Sequence, residues 1–274
     1  IQTLKGFRDF LPTEMKTRNK VINILKDTFE SFGFLPLETP TLEYAEVLLN
    51  KYGDEADQLV YTFKDKGDRK VGLRYDLTVP ISRVLATYQN KIKTPFKRYQ
   101  IQNVFRADKP QRGRYREFTQ CDIDIFGIPS SLAETEILYA FYSAFKEIGI
   151  KNFKIKINSR KVLFDLLEKA EVNKKNKQLS IIQSIDKLDK KSSKEVKKEL
   201  IKKGFSDSKI NKIFGLIENA KAEDYDNLFA IINNLNNLGL KKDKEIEFQP
   251  FLARGLDYYT GPIFEIVVKK PNIG

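Results

Sequence analysis

The sequence predicts an α+β fold: helices mixed with antiparallel hairpins, and a helical domain inserted between them. Three observations lead there. Alternating apolar and polar residues flank a basic loop between Phe105 and Gln120, which reads as a pair of strands. Helical stripes precede and follow such hairpins without the strict strand–helix alternation of a doubly wound sheet. From about Arg160 to Glu245 the chain becomes rich in lysine and asparagine, carries short helical stripes and shows no strand pattern.

In order along the chain, Lys5 to Pro12 reads as a loop before a helix, with Thr13 as its N-cap and Met15, Val21, Ile22, Leu25 and Phe29 as its apolar stripe. Gly33 supplies a left-handed stop. Phe34 to Thr39, closed by Pro40, reads as a short strand, and Leu42 to Leu49 as a helical piece. Val60–Lys64 and Val71–Tyr75 read as a hairpin turning at Lys66-Gly67-Asp68. Thr78-Val79-Pro80 opens a helix toward Tyr88, with proline inside its first turn. A longer helix is expected from about Leu132 to Ile148, stopped by Gly149, and then a strand from Phe153 to Ile157. Strand character returns after Gly261. The domain division that follows is 1–159, an inserted helical domain 160–245, and a return to the first domain at 246–274.

The loop is the most informative stretch. Between Phe105 and Gln120 it carries the five cations Arg106, Lys109, Arg112, Arg114 and Arg116 among proline, glycine and glutamine, a composition suited to a polyanion. On the strand after it, Arg116, Phe118, Gln120, Asp122 and Asp124 share one face, and Thr119, Cys121, Ile123 and Ile125 the other. An ordinary hairpin with a solvated polar face would show the same alternation. This polar face holds more than solubility needs: a guanidinium, an aromatic plate, an amide and two carboxylates in one row.

Composition limits the chemistry. The 274 residues hold 49 Lys+Arg against 37 Asp+Glu, a net charge of +12 that favours polyanionic partners. The chain contains no histidine, which excludes an imidazole base, a serine–histidine triad and histidine-ligated zinc within it. Cys121 is the one cysteine, so neither an intramolecular disulfide nor a cysteine-cluster metal site can form. No long apolar run and no signal-peptide pattern is present, and the expectation is a cytosolic protein without a membrane span.

The segment Arg254-Gly255-Leu256-Asp257-Tyr258-Tyr259-Thr260-Gly261 puts an arginine, a carboxylate and paired tyrosines where glycines let backbone approach a ligand. Together with Leu73-Arg74-Tyr75-Asp76-Leu77-Thr78 and the arginine-rich loop, it resembles the catalytic core of the histidyl-tRNA synthetases, class II aminoacyl-tRNA synthetases. The resemblance runs nearly end to end. Gly33 to Pro40 is similar to the first class II motif, Phe105 to Gly127 to the second, and Arg254 to Gly261 to the histidine-specific motif, in wording closer to archaeal and eukaryotic members.

The resemblance implies an antiparallel sheet flanked by helices, a homodimer, and an insertion leaning on the tRNA acceptor stem. It implies ATP and L-histidine as substrates, with magnesium. The catalytic pair would be Arg106 on the ATP α-phosphate and Arg254 beside the reacting carboxylate. ATP would further meet Arg114 at the triphosphate, with Glu117 and Phe118 at the adenine. Asp76, Thr78 and Gln120 would hold the α-amino group of the histidine substrate and Asp124 and Tyr259 would read its imidazole, with Leu77 and Tyr258 also among the histidine-binding residues. Lys109, Gln111 and Arg112 at the loop tip would meet the tRNA. Bacterial members usually carry glutamate at the positions of Asp76 and Asp124. The family's third class II motif and anticodon-binding domain are expected to be absent from these residues.

Two other readings compete. A regulatory paralogue that senses histidine for histidine biosynthesis would share the fold but would not need Arg106, Arg114, Arg116 and Phe118. A generic nucleic-acid module explains the charge but not the carboxylates and tyrosines. On the synthetase reading, Arg112→Ala is expected to weaken tRNA charging and spare adenylate formation, because a tip cation contacts phosphates of the acceptor end only. Parallel charging and pyrophosphate-exchange assays check this; an equal loss in both contradicts it.

Overall fold

The computed structural model describes residues 1–49, 59–111, 113–254 and 259–268, with Asp189 described by its backbone alone. The chain forms two compact units, Ile1–Pro129 with Glu136–Gly149, and Ser130–Thr135 with Ile150–Gly274.

The first unit begins with helix α1, Pro12–Ser31. It starts one residue before the Thr13 cap predicted from sequence: proline takes the first helical position, where its missing N–H costs nothing, and Glu14 Oε2 reaches back to accept from the Leu11 amide at 3.1 Å. Gly33, at φ +76°, turns the chain out of the helix. Short strand β1, Leu35–Pro36, pairs in parallel with β5, Phe96–Phe105, and β5 pairs antiparallel with β6, Glu117–Phe126, over ten matched positions. A second sheet, in the order β2, β4, β3, comprises Leu42–Tyr44, Lys70–Leu73 and Thr62–Lys64. Leu42–Tyr44 is therefore a strand where a helix was expected; the helix, α2, occupies Ala45–Leu48 only. Pairing with β4 decides the matter, and a four-residue helix has little cooperativity to oppose it. The predicted turn forms at Asp65, whose Oδ1 accepts from the amides of Gly67 and Arg69 at 2.9 and 3.0 Å. Helix α3 covers Thr78–Thr87, and helix α4 Ser131–Ile148.

The odd-numbered face of β5 and β6 is the dry one. Tyr99 and Ile123 are buried there with Phe29 and Phe34 and with Ala140 and Ala144 of α4, and Ile101, Cys121 and Ile125 pack against this cluster. Alanines on α4 let the helix approach the aromatic side chains, and Phe29 meets Phe141 edge-on at 5.6 Å between centroids.

In the second unit, strand β7, Phe153–Ser159, is flanked by β8, Ile246–Phe248, in parallel, and by β9, Pro262–Val268, antiparallel. Between β7 and β8 run helices α5 (Arg160–Lys169), α6 (Lys175–Ile185), α7 (Ser193–Lys202), α8 (Asp207–Glu218) and α9 (Asp226–Asn237). Serines at 159, 192 and 206 cap three of them through their hydroxyls. Strand β8 is only three residues long, too short for a pattern in sequence. The sheet also holds the segment that leads into Arg254. Asn158 Nδ2 donates to the carbonyls of Pro250 and Leu252, both at 2.9 Å, and buried Arg160 donates from Nη1 to the Arg254 carbonyl at 2.7 Å. Among the described residues, no helix is long and apolar enough to cross a membrane.

Arg74 ties the first unit together. It is 2% exposed, and its guanidinium donates to the carbonyls of Asn103 and Thr39 and to Gln102 Oε1 at 2.8, 2.6 and 2.9 Å. Arg74→Met keeps the length but orphans these acceptors, and a loss of about 2 to 4 kcal/mol in urea unfolding is expected.

Candidate functional site

The even-numbered face of the β5–β6 hairpin carries polar groups on both strands. Register places Arg98 opposite Asp124, Gln100 opposite Asp122, and Gln102 opposite Gln120; Val104 opposite Phe118 closes the row. The β5 half of the row is fixed by a hydrogen-bond chain. Arg98 Nη1 donates to Gln100 Oε1 at 3.1 Å, Gln100 Nε2 donates to Thr39 Oγ1 at 2.8 Å, and Gln102 Oε1 accepts from the Thr39 amide at 3.1 Å. Arg98 is fully buried, and its Nη2 forms an ion pair with Asp124 Oδ2. The β6 half keeps hydrogen-bonding capacity: Gln120 Oε1 is buried and accepts no hydrogen bond from the described residues. A buried polar atom of this kind is uncommon, and beside the enclosed Arg98–Asp124 pair it marks a place for a polar ligand.

Arg106 and Asp76 arrive from either side of Tyr75. Arg106 Nε donates to the Tyr75 carbonyl at 2.9 Å, and its guanidinium carbon stands 5.1 Å from the centroid of the Phe118 ring. Asp76, buried, accepts from the Val79 amide at 3.0 Å and so caps α3. Leu77 is fully buried, and Thr78 is exposed at the start of α3. Asp122 feels Arg98, Asp124, Asp76 and Arg106 together, so these five charged groups converge. Burial pushes the Asp122 carboxyl up to about 6, Arg98 and Arg106 opposing and the two other carboxylates adding. Burial also raises Asp124, with Arg98 pulling it back. The Cys121 thiol, on the dry face, is pushed up to about 12 by burial, which leaves it inert as a nucleophile.

The basic loop is propped rather than free. Its ends are joined by the Arg106 amide donating to the Arg116 carbonyl at 2.8 Å, and its tip by Gln111 and Arg114 exchanging backbone hydrogen bonds of 3.2 and 2.9 Å. Arg114 pairs with Asp108 at 2.7 Å, and Arg116 donates to the Asp108 carbonyl at 2.9 Å. The N-terminal segment braces the outside: the Arg116 amide donates to Gly6 O at 2.8 Å, and the Arg8 guanidinium lies 3.3 Å from the Tyr115 ring centroid. Gly6 has φ +91°, and a Cβ there would stand 2.9 Å from Arg116 Cγ, so only glycine fits this contact. Lys109, Gln111 and Arg114 are exposed at the tip.

The structure thus brings Asp76, Arg106, Phe118, Gln120 and Asp124 to one face of the first unit. Glu117 lies on the opposite face, its carboxylate accepting from Asn103 Nδ2 at 2.9 Å. Arg254 and Tyr259 belong to the second unit, Arg254 exposed and Tyr259 half-buried. Arg112 and Tyr258 lie outside the described residues. Arg98, Asp122 and Arg74 were given no role from sequence. The signal was present, since Arg98, Gln100 and Gln102 alternate with Tyr99 and Ile101 just as Gln120, Asp122 and Asp124 alternate on the partner strand. No group of three or more carboxylate, cysteine or histidine side chains able to hold a metal ion occurs among the described residues.

A family model described as Histidyl-tRNA synthetase matches residues 6–272. The chain belongs to the histidyl-tRNA synthetase family. The histidine–tRNA ligase of Cytophaga hutchinsonii is 39% identical over 309 residues, covering 98% of this chain and 68% of that protein. That of Aeropyrum pernix is 40% identical over 285 residues, covering 98% and 65%. Identity to the bacterial and the archaeal relative is nearly equal, and the chain spans about two thirds of the length of each. The crystal structure of histidyl-tRNA synthetase from Nostoc sp. PCC 7120 superposes with a TM-score of 0.84 at 30% identity, covering 97% of this chain and 65% of that one. A Bacillus halodurans C protein described as an ATP phosphoribosyltransferase regulatory subunit/histidyl-tRNA synthetase shares the fold, with a TM-score of 0.82 at 21% identity over 99% of this chain and 74% of that one.

Asp122 gives this synthetase-family core a pH-dependent stability term. Its carboxyl titrates near 6 when folded and near its ordinary value of 3.8 when unfolded. The folded state therefore holds the proton more tightly: the contribution favours folding below about pH 4 and is lost as pH rises through 6. Asp122→Asn is expected to stabilise the protein by roughly 1 to 3 kcal/mol at pH 7.5. The gain should fade toward pH 4 in parallel urea titrations.

Proposed function

We propose that this chain is the catalytic core of a histidine–tRNA ligase, which joins L-histidine to AMP from ATP and passes it to the 3′ end of its tRNA. The observation that carries this reading is the convergence of Asp76, Arg106, Asp124 and buried Arg98 on Asp122, on one face of the hairpin. A purely nucleic-acid-binding surface has no use for enclosed carboxylates in that number.

In the first step a carboxylate oxygen of histidine attacks the ATP α-phosphorus; the bond to the bridging oxygen breaks and pyrophosphate leaves. The substrate is its own nucleophile, so the absence of histidine side chains from these residues is no obstacle to this step. The protein's share is alignment and stabilisation of negative charge on the phosphoryl oxygens. Arg106, held on the Tyr75 carbonyl, supplies one cation there and Arg254 the other. Phe118 stacks on the adenine, with Glu117 next to it in sequence, and Arg114 meets the triphosphate. Asp76, Leu77, Thr78 and Gln120 surround the α-amino group. Asp124 accepts from the imidazole N–H, and Tyr258 and Tyr259 take part in recognising the same substrate; a side chain without that donor leaves the carboxylate without its ligand partner and is rejected. Magnesium, for which the described carboxylates form no cage, enters with the ATP phosphates.

In the second step the terminal ribose hydroxyl of tRNA attacks the acyl carbon and AMP leaves. Lys109, Gln111 and Arg112 contact the acceptor end, and the helical segment 160–245 leans on the acceptor stem. The protein works as a cytosolic homodimer.

The test is histidine-dependent ATP–pyrophosphate exchange by the whole gene product, with the other amino acids as controls. Exchange with histidine alone is expected. Asp124→Asn, which loses a charge-assisted hydrogen bond, should raise KM for histidine about 10- to 100-fold and leave KM for ATP within about twofold. The likeness to the B. halodurans protein favours a second reading, a histidine-sensing regulatory subunit. Histidine binding without exchange in the whole protein would select it.

A further inference from the structure

Arg98 is, with Arg160, one of the two largest fully buried side chains among the described residues, and no reading of the sequence gave it a task. Its position is specific. It sits directly across from Asp124 in the β5–β6 register, its Nη2 pairs with Asp124 Oδ2, and its Nη1 is tied to Gln100. Exposure divides the pair unevenly: the Arg98 side chain is 0% exposed and that of Asp124 33%. Asp124 Oδ2 is enclosed against the guanidinium, which leaves Oδ1 as the oxygen able to meet a ligand. Arg98 itself cannot reach one.

We propose that Arg98 is a positioning residue for histidine recognition: from directly across the strand pair it engages Oδ2 of Asp124 and leaves the other carboxylate oxygen turned outward. The inference rests on Asp124 reading the imidazole, as proposed above. The charges around the pair are few. Asp124 faces Arg98 across the strands and has Asp122 next on its own face; Asp122 in turn faces Asp76 and Arg106. Among the described residues, Arg98 is therefore the cation placed to offset the burial of Asp124. Without it, Asp124 takes up a proton at higher pH and presents a hydroxyl, or no ordered acceptor, to the imidazole N–H.

The experiment is a double-mutant cycle in the whole protein, read by KM for histidine and for ATP in pyrophosphate exchange, with circular dichroism as the check on folding. Arg98→Met should raise KM for histidine about tenfold or more, leave KM for ATP within about twofold, and move the acid limb of the histidine kcat/KM profile to higher pH. Added to Asp124→Asn it should cost less than about twofold further, because its effect passes through the carboxylate already removed. Should Arg98→Met fail to fold, Arg98→Lys, which keeps the charge, should show a smaller rise in KM and a smaller displacement of the same limb. Equal rises in both KM values, full additivity in the Asp124→Asn background, or an unmoved pH profile in the folded variant overturns the role of Arg98. An unchanged histidine KM in Asp124→Asn alone overturns both this proposal and the reading beneath it.

Discussion

Ten consecutive matched positions between β5 and β6 are the constraint on which the first unit rests. Because side chains alternate strictly along a strand, that register settles two surfaces at once. A slip of one residue would carry Tyr99, Ile101, Cys121 and Ile123 away from α1 and α4, and would bring Arg98, Gln100, Asp122 and Asp124 against Phe29 and Phe34. The aromatic core thus enforces the polar site from the other side of the same two strands. Packing energy that looks purely structural is what holds the carboxylates in line.

The two cationic features of the unit do different physical work. Lys109 and Arg114 stand in solvent at the loop tip, where charge gives long-range attraction that salt screens. Arg98 and Arg74 are enclosed, and their guanidiniums are met there by acceptors: Gln100 and Asp124 for Arg98, and Asn103, Thr39 and Gln102 for Arg74. Solvated and enclosed positive charge are thereby separated in space, the first at the end of a propped loop and the second on the floor of the sheet. The brace from Gly6 and Arg8 belongs to the first of these, since it limits where the loop can carry its charges.

Much of this was legible in the sequence, for identifiable reasons. The period of two around residues 117–126, the turn at Asp65–Asp68 and the helix opening at Thr78 each rest on a local rule, and the structure contains each. Leu42–Tyr44 was misread because its apolar content suits either state; the pairing partner that decides lies some thirty positions on, at β4. Strand β8 escaped because three residues carry no period. Within the site, Asp76, Arg106, Gln120 and Asp124 could be picked out by motif, whereas Arg98 could not. Its importance comes from being opposite Asp124 and from having no exposure, and both are facts of register and burial.

The enclosed Arg98–Asp124 pair also constrains how such a chain can change over time. A substitution that removes the charge at either position alone strands an opposite charge in the protein interior, and the intermediate is less stable than either end point. Positions 98 and 124 are therefore epistatic: a lineage can neutralise the carboxylate only together with the guanidinium, or after a change elsewhere that takes over its pairing. Cores with and without this ion pair would then be separated by a valley of less stable intermediates, and not by a gradual series of single steps.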